Sequence, residues 1–346
     1  MTTAPAAPRR RRRRSLPRWA WITIVAAVLV ALLAIIAAIG WTVTTGLSLL
    51  SAEPPSVGTT IVAPEESKAA IAAASESEGA AEQAAAEYLA AAPTAYWLTP
   101  ELDPIGEVGT RVLNLVNEAR EQDAALAVVV YGLPERDCGQ YSAGGLDDAD
   151  YDTWTSEIGA ALSSASAADL QKIIILEPDS LALAPQCDNV DARMTQLHDA
   201  VERLAGTNVW IYLDGGHSNW LAASEMASLI QQVGVSDTIR GFATNVSNYQ
   251  PTYAEFEYAH QVSDALGGSH AIVDTSRNGA EQAESEWCNP AGQLVGAAGG
   301  TYGDDVVDTN LWIKPPGESD GECNGGPVAG AWWSESAVQL TSDLLQ

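Results

Sequence analysis

The stretch Lys172–Ser180 reads KIIILEPDS and contains the clearest fold signal in the chain. Its apolar run, Ile173–Leu176, is typical of a strand that is buried on both faces, as strands of a helix-covered parallel sheet are. The polar residues Glu177, Asp179 and Ser180 follow this run directly. The stretch therefore predicts a buried parallel strand that delivers carboxylates to a loop at its C-terminal end.

Six other apolar runs repeat this pattern, and helical stretches alternate with them. The predicted strands are Thr94–Leu98, Leu126–Tyr131, Lys172–Leu176, Val209–Leu213, Ile239–Thr244, Ala271–Asp274 and Leu311–Lys314. Amphipathic helices are predicted between several of them, at Val108–Glu121, Val190–Leu204 and Tyr253–Leu266. This alternation favours a parallel sheet with right-handed crossovers. No G-x-G-x-x-G follows a strand, and polar residues crowd the strand ends, so we predict a TIM-like parallel β/α barrel of seven strands rather than an open doubly wound sheet.

The N-terminal segment has the pattern of an export signal. Arg9–Arg14 form an unbroken basic run, and the following residues 20–41 carry no charge. At about 1.5 Å per helical residue, this segment is long enough to cross a hydrocarbon core of roughly 30 Å. The positive-inside rule then places residues 1–19 in the cytoplasm. We expect either a retained transmembrane signal anchor or a long, cleaved signal peptide, and both predict that the remainder is extracellular, secreted or held at the outer face of the membrane.

Composition changes again along the exported part. Residues 42–92 are rich in Ala, Glu and Ser and have few large apolar side chains. Such a sequence predicts a spacer, with helical propensity from Pro64 to Ala92, that builds no core of its own. We therefore place the folded catalytic domain at residues 93–346 and expect it to be a monomer.

The charges are distributed just as unevenly. Seven of the 17 basic residues precede residue 20, whereas all 45 acidic residues follow residue 52. A surface this acidic excludes nucleic acid as a partner, since phosphates require cationic contacts. A neutral polysaccharide remains compatible with it.

The cysteines indicate disulfides. Cys138, Cys187, Cys288 and Cys323 are the only four in the chain, and an even number outside the cytoplasm predicts two bridges. Three pairings are possible, of which the sequential one is the simplest. No C-x-x-C or other metal-ligand spacing occurs, so neither a metal ion nor another cofactor is expected.

Polar side chains follow nearly every predicted strand. In a parallel barrel all strand C-termini open on one face, so these groups should converge on one cleft together with Trp220 and Trp287. Carboxylates flanked by aromatic side chains suit glycoside hydrolysis, in which one acid protonates the leaving oxygen and a second carboxylate activates water or attacks. Nucleophilic serine chemistry is disfavoured, because no G-x-S-x-G occurs.

Five motifs then resemble those of the cellulases of glycoside hydrolase family 6. They are YxLPxRDC at Tyr131–Cys138, LEPDSL at Leu176–Leu181, DxGHxxW at Asp214–Trp220, WCNP at Trp287–Pro290 and WIKPxGExDG at Trp312–Gly321. The resemblance implies a distorted seven-stranded barrel, hydrolysis of β-1,4-glucan with inversion, and no cofactor.

The same resemblance implies catalytic roles. Asp179 corresponds to the general acid, and Asp137 lies beside it and raises its pKa. Asp320 corresponds to the base, which acts indirectly through water near Ser142 and Asp137. Tyr131 presses on the distorted sugar at the cleavage position.

The resemblance also implies a substrate-binding set. Trp287 binds on the non-reducing side and Trp220 on the leaving-group side. Sugar hydroxyls are bound by Lys314, Glu318, His217, Asn245 and Arg277.

Two departures from the family pattern bear on the mode of attack. Ala223 stands where some members carry a further tryptophan, and only two residues separate Asp320 from Cys323, where cellobiohydrolases carry a long tunnel-closing loop. Both predict an open cleft and hence an endoglucanase. The alternatives are a cellobiohydrolase of the same family and a non-catalytic glucan-binding protein of the cell surface.

Overall fold

The computed structural model describes residues 19, 27, 29–36, 52–75, 79–139, 144–282 and 284–345. The chain divides into two compact units, Met1–Leu50 and Ser51–Gln346. Residues 29–36 of the first unit are helical. Among the described residues, no helix combines the length and apolar character needed to cross a membrane. Nearly all of the predicted tail 1–19 and more than half of the predicted membrane segment 20–41 lie outside the described residues.

Seven parallel strands in sequential order form the central sheet of the second unit. They are β1 (Tyr96–Leu98), β2 (Leu126–Val130), β3 (Lys172–Leu176), β4 (Val209–Asp214), β5 (Gly241–Thr244), β6 (His270–Asp274) and β7 (Val307–Leu311). The sheet curls so that its edges approach: the N–H of Ala95, just before β1, donates to the carbonyl of Trp312, just after β7, at 2.9 Å. The predicted seven-stranded parallel β/α barrel is therefore confirmed, in distorted form.

Helices cover the outside of this sheet. They are α1 (Lys68–Ala74), α2 (Ala80–Ala90), α3 (Val108–Glu121), α4 (Asp148–Leu162), α5 (Ser180–Leu183), α6 (Val190–Leu204), α7 (Ala223–Val233), α8 (Thr252–Leu266) and α9 (Ser334–Leu340). The apolar faces of α3 and α6 pack on the sheet, as their spacing predicts, and both helices have the predicted bounds.

Strands β2 and β3 are buried along their whole length. Because side chains alternate between the two faces of a strand, Val128 and Ile174 pack outward against the helices while Val129 and Ile175 fill the barrel interior. Burial on both faces explains why these strands read as continuous apolar runs. Burial of these two strands also holds in place the loops that follow them.

Strand β7 begins four residues before the prediction. The apolar run that suggested it, Leu311–Ile313, continues past the end of the ladder. The N–H groups of Ile313 and Lys314 donate instead to the carboxylate of Asp274, each at 3.1 Å. This side chain replaces the neighbouring strand as hydrogen-bond acceptor, so the backbone turns toward the cleft.

The segment predicted as a spacer differs most from expectation. Its described residues belong to the same compact unit as the barrel. Ile61 forms a parallel bridge with Ala125, and helix α2 buries Ala85 and Leu89 in a cluster with Trp312. Small alanine side chains allow these helices to approach the barrel closely, so the segment packs without large apolar residues of its own.

Two disulfides hold loops at the end of the barrel where the strands terminate. Cys138 pairs with Cys187 and Cys288 pairs with Cys323, with Cα–Cα distances of 5.5 and 6.1 Å. The sequential pairing is therefore confirmed.

Candidate active site

A cavity of about 940 Å³ opens at the C-terminal ends of the strands. Loops that follow all seven strands contribute to its walls. Nine of the residues predicted from the sequence line it: Tyr131, Asp137, Asp179, His217, Trp220, Trp287, Lys314, Glu318 and Asp320.

Asp179 lies directly after β3, at the N-terminus of α5, in the left-handed backbone conformation with φ of 66°. Its N–H donates to the carboxylate of Asp214 at 2.9 Å, which fixes this unusual backbone. Burial raises the pKa of Asp179 well above its ordinary value, and the negative charges of Asp214, Asp137 and Asp320 act in the same direction. A carboxyl whose pKa is raised keeps its proton to higher pH than an ordinary aspartate does, as a general acid requires.

Asp214 at the end of β4 supports Asp179 from behind. It is 1% exposed and also accepts the N–H of Gly216 at 3.2 Å. Burial raises the pKa of Asp214 to about 7, against the effect of these two N–H donors. Asp214 is absent from the cavity wall, so its chemical role is to orient Asp179 and to disfavour its ionisation.

Asp137 lies in a tight turn after β2, spanning Arg136–Gly139, where both it and Cys138 have positive φ. The Cys138–Cys187 disulfide pins this strained turn. The hydroxyl of Tyr131 donates to Asp137 at 2.8 Å. Burial raises the pKa of Tyr131 well above its ordinary value, so the phenol remains a proton donor toward Asp137.

Asp320 is held by three groups. Arg277 binds one carboxylate oxygen at 2.8 Å, while the Tyr249 hydroxyl at 2.8 Å and the Asn289 N–H at 3.1 Å bind the other. Asn289 also accepts the N–H of Asp320 at 2.8 Å. The neighbouring Cys288–Cys323 disulfide restrains the same loop. Asp320 is consequently a rigid, ion-paired carboxylate at the cavity wall.

Lys314 and Glu318 lie in the same loop after β7 as Asp320 and also line the cavity. The Lys314 ammonium lies 3.6 Å from Glu318 and 5.2 Å above the ring of Trp97. Burial lowers the pKa of Lys314. Trp97 is itself fixed by a 2.8 Å hydrogen bond from its indole N–H to the Ile313 carbonyl. An apolar ring beside a donor and an acceptor matches the faces and rim of a pyranose.

His217 and Trp220 form the wall after β4, with ring centroids 5.5 Å apart. Burial lowers the pKa of His217 to about 4, so the imidazole is neutral near pH 7. The Asn219 N–H points at Nδ1 of His217 from 3.2 Å. Nδ1 is then the acceptor, which leaves Nε2 as a donor for a ligand hydroxyl.

Two of the predicted binding residues lie behind the cavity wall rather than on it. Asn245 is fully buried, and its amide bonds the carbonyls of Gln250 at 3.2 Å and Asp274 at 2.9 Å. Arg277 is 2% exposed and is committed to Asp320 and to the Ser247 carbonyl. Both side chains therefore hold the loops that carry the site. Ser142 lies outside the described residues.

Three residues of the site, one behind the cavity wall and two on it, were not predicted from the sequence. Tyr249 reaches Asp320 from the loop after β5, and its buried phenol gives no sequence signal apart from its position after a strand. Lys68 and Glu66 enter the cavity from the segment predicted as a spacer. Lys68 could have been noticed, because the chain contains only three lysines.

A carboxyl of raised pKa that shares one cavity with two further carboxylates and with aromatic side chains, on a curled parallel sheet, is the arrangement of a glycoside hydrolase. The chain belongs to the Glycosyl hydrolases family 6, whose model matches residues 57–343.

Individual relatives agree with this assignment. Endoglucanase A of Cellulomonas fimi is 36% identical over 260 residues, which cover 75% of this chain and 56% of that protein. A 1,4-beta-D-glucan cellobiohydrolase of Podospora anserina is 36% identical over 266 residues, covering 63% of this chain and 64% of that one. The chain thus spans little more than half the length of the Cellulomonas relative.

Among solved structures, the endoglucanase Cel6 from Mycobacterium tuberculosis, in complex with methyl-cellobiosyl-4-deoxy-4-thio-beta-D-cellobioside, superposes with a TM-score of 0.77 at 36% identity. The match covers 85% of this chain and 100% of that structure. The similarity therefore extends over the whole of that structure.

Proposed function

We propose that the chain is an endoglucanase that hydrolyses internal β-1,4-glucosidic bonds of cellulose or a related β-glucan with inversion. The observation that carries the proposal is the raised pKa of Asp179 in a cavity that Asp137 and Asp320 also line. A protein that only binds glucan has no use for a buried acid whose pKa is raised. The names of the Cellulomonas and Mycobacterium relatives support the same activity.

In the proposed reaction, Asp179 protonates the oxygen of the departing sugar while water attacks the anomeric carbon from the opposite face. The proton released by that water passes to the carboxylates on the other side, with Asp320 as the base and Asp137 near the water path. Arg277, Tyr249 and the Asn289 N–H keep Asp320 in place throughout. Tyr131, hydrogen-bonded to Asp137, lies where the sugar is distorted.

Binding is assigned to the aromatic walls and their polar neighbours. We propose that Trp287 holds a sugar on the non-reducing side and Trp220 one on the leaving-group side. Lys314, Glu318 and His217 bind hydroxyls, whereas Asn245 and Arg277 act from behind the wall. Trp287 is 44% exposed, as expected for a ring on which a sugar stacks.

Attack within the chain, rather than from its end, follows from the short loop beside Asp320. Only Gly321 and Glu322 separate Asp320 from Cys323, and the disulfide to Cys288 ties them to the rim. An extended residue spans at most about 3.6 Å, so this loop cannot close over a glucan chain. A cellobiohydrolase, the activity named for the Podospora relative, needs such a closure.

We further propose that the catalytic unit works outside the cell as a monomer. Two disulfides support an oxidising compartment, and the basic run followed by an uncharged apolar segment supports export. The catalytic groups all come from one chain.

The test is to follow viscosity and reducing ends together while the full chain acts on a soluble substituted cellulose. An endoglucanase lowers viscosity steeply for each bond cleaved. Release of cellobiose with little change in viscosity would instead identify a cellobiohydrolase, and tight binding without new reducing ends would identify a binding protein. NMR of fresh product should show the α-anomer first, and early β-anomer would refute inversion.

A further inference from the structure

Lys68 enters the cleft from outside the barrel, on helix α1. Its ammonium lies 3.1 Å from a carboxylate oxygen of Glu318, and its side chain is 33% exposed at the cavity wall. Lys314 approaches the other oxygen of Glu318 at 3.6 Å. Glu318 is therefore bracketed by two ammonium groups, one from the barrel and one from the N-terminal segment.

The use of lysine in this chain is selective. The three lysines are Lys68, Lys172 and Lys314, and every other basic side chain apart from histidine is arginine. Lys172 is 1% exposed and donates to the carbonyl of Ala167. The two others both face Glu318, so the only lysine ammonium groups near solvent are those in the cleft.

Helix α1 presents Lys68 from a fixed position. The Ser67 hydroxyl caps the helix by accepting the Ala70 N–H at 3.2 Å. Ala69 and Ala72 are buried against the rest of the unit. The backbone of Lys68 is therefore anchored, and only its flexible side chain has freedom to follow a ligand.

The ammonium of Lys68 has more N–H donors than its contact with Glu318 uses. An ammonium carries three N–H donors, and within the described part of the chain Glu318 is the one partner found for it. Burial lowers the pKa of Lys314 most, and the positive charges of Arg277 and, to a smaller extent, Lys68 act in the same direction. An ammonium beside a carboxylate offers a donor and an acceptor a few ångströms apart, which is the complement of two adjacent hydroxyls on a pyranose.

We propose that Lys68 is a substrate-binding residue of this cleft, which donates to a glucosyl hydroxyl and orients Glu318 to accept from the adjacent one. This inference rests on the proposed function, since it assigns the sugar ligand. It makes the N-terminal segment part of the binding site. A purely structural alternative is that the Lys68–Glu318 pair only fastens α1 to the barrel, which would affect stability and not affinity.

The experiment compares Lys68→Met, Lys68→Arg and, as a matched control, Ile71→Ser in the full chain. Ile71 lies on the same helix, is 61% exposed and does not line the cavity. Loss of a charged hydrogen-bond donor should raise KM for cellotetraose about tenfold in Lys68→Met, with kcat changed less. Lys68→Arg should stay within about threefold of the parent, because it retains charge and donors, and Ile71→Ser should match the parent.

Coupling to Glu318 gives a second measurement. If the pair acts as a unit, adding Lys68→Met to Glu318→Gln should weaken cellotetraose binding by less than Lys68→Met does alone. Unchanged KM in Lys68→Met, or a loss of thermal stability with normal KM, would overturn the proposal in favour of the structural alternative.

Failure of the proposed function would give a different result from failure of the Lys68 proposal. If the parent protein does not hydrolyse β-1,4-glucan, calorimetric titration with cellotetraose still measures binding. About tenfold weaker binding by Lys68→Met, with parent-like binding by Lys68→Arg, would support Lys68 without any turnover. Equal affinity of the parent and Lys68→Met would overturn it.

Discussion

Replacing Asp214 by Asn should lower the pKa of Asp179, the proposed general acid. Asp214 is the first of the charges that raise the pKa of Asp179, and it contacts the Asp179 backbone at 2.9 Å. Asn has nearly the same shape and retains a side-chain oxygen to accept that N–H. The substitution therefore removes charge while it preserves the hydrogen bond that holds the acid.

The size of the effect follows from Coulomb's law. Two unit charges about 5 Å apart interact by roughly 3 kcal/mol at an effective dielectric constant of about 20, which corresponds to about two pKa units. The pKa of Asp214 is itself raised to about 7, so near neutral pH it carries only part of a charge. We therefore expect the pKa of Asp179 to fall by about one unit in Asp214→Asn.

The assay is the pH dependence of kcat on a soluble glucan, whose alkaline limb reports the general acid in the substrate complex. That limb should move to lower pH by about one unit in Asp214→Asn. Glu255→Gln is the control, because Glu255 is equally buried but its charge acts on Asp214 and is not among the charges that shift the pKa of Asp179. An unmoved limb in Asp214→Asn, or an equal shift in both variants, would refute the electrostatic reasoning.

Three further predictions use other parts of the molecule. Asp179→Ala should abolish turnover of unactivated glucan but partly retain turnover of a glycosyl fluoride, whose leaving group needs little protonation; near-normal activity on cellulose would contradict the assignment. Burial raises the pKa of Glu255 from 4.5 to about 7, so its cost to folding is absent below pH 4.5, grows between pH 4.5 and 7 and is constant above pH 7; in denaturant titrations, Glu255→Gln should therefore gain about 2.5 kcal/mol in free energy of unfolding over the parent at pH 8 relative to pH 5. Replacing both Cys288 and Cys323 by Ser removes a bridge that closes 35 residues, which should lower the free energy of unfolding by about 4 kcal/mol in denaturant titration and slow turnover by loosening Asp320.

Burial determined which strands and helices could be predicted accurately from the sequence. Strand β3 and helix α3 have their predicted bounds, because continuous burial and a single apolar face leave clear periodic signals. Strand β7 does not have its predicted bounds. The Asp274 carboxylate accepts hydrogen bonds there in place of a neighbouring strand, and a hydropathy pattern does not show such a contact.

The site shows the same division. Nine of the predicted site residues, all within the five motifs, lie on the cavity wall. Asn245 and Arg277, which lie outside those motifs, are buried behind the wall, because a position after a strand does not reveal which way the side chain points. Lys68 was missed for another reason. It belongs to an alanine-rich segment whose packing rests on close approach of small side chains, which composition alone reads as a spacer.

The scarcity of lysine has a practical consequence for handling the protein. Amine-reactive dyes, crosslinkers and activated resins normally react at many harmless surface positions. Here Lys172 is 1% exposed and Lys314 is 7% exposed, so the side-chain amine most open to such reagents is that of Lys68, at the wall of the candidate active site. Labelling or immobilising the protein through its lysine side chains should therefore block the cleft. The acidic surface, with 45 carboxylates in the sequence, offers the better chemistry for attachment, provided that a glucan ligand shields the cleft during the reaction.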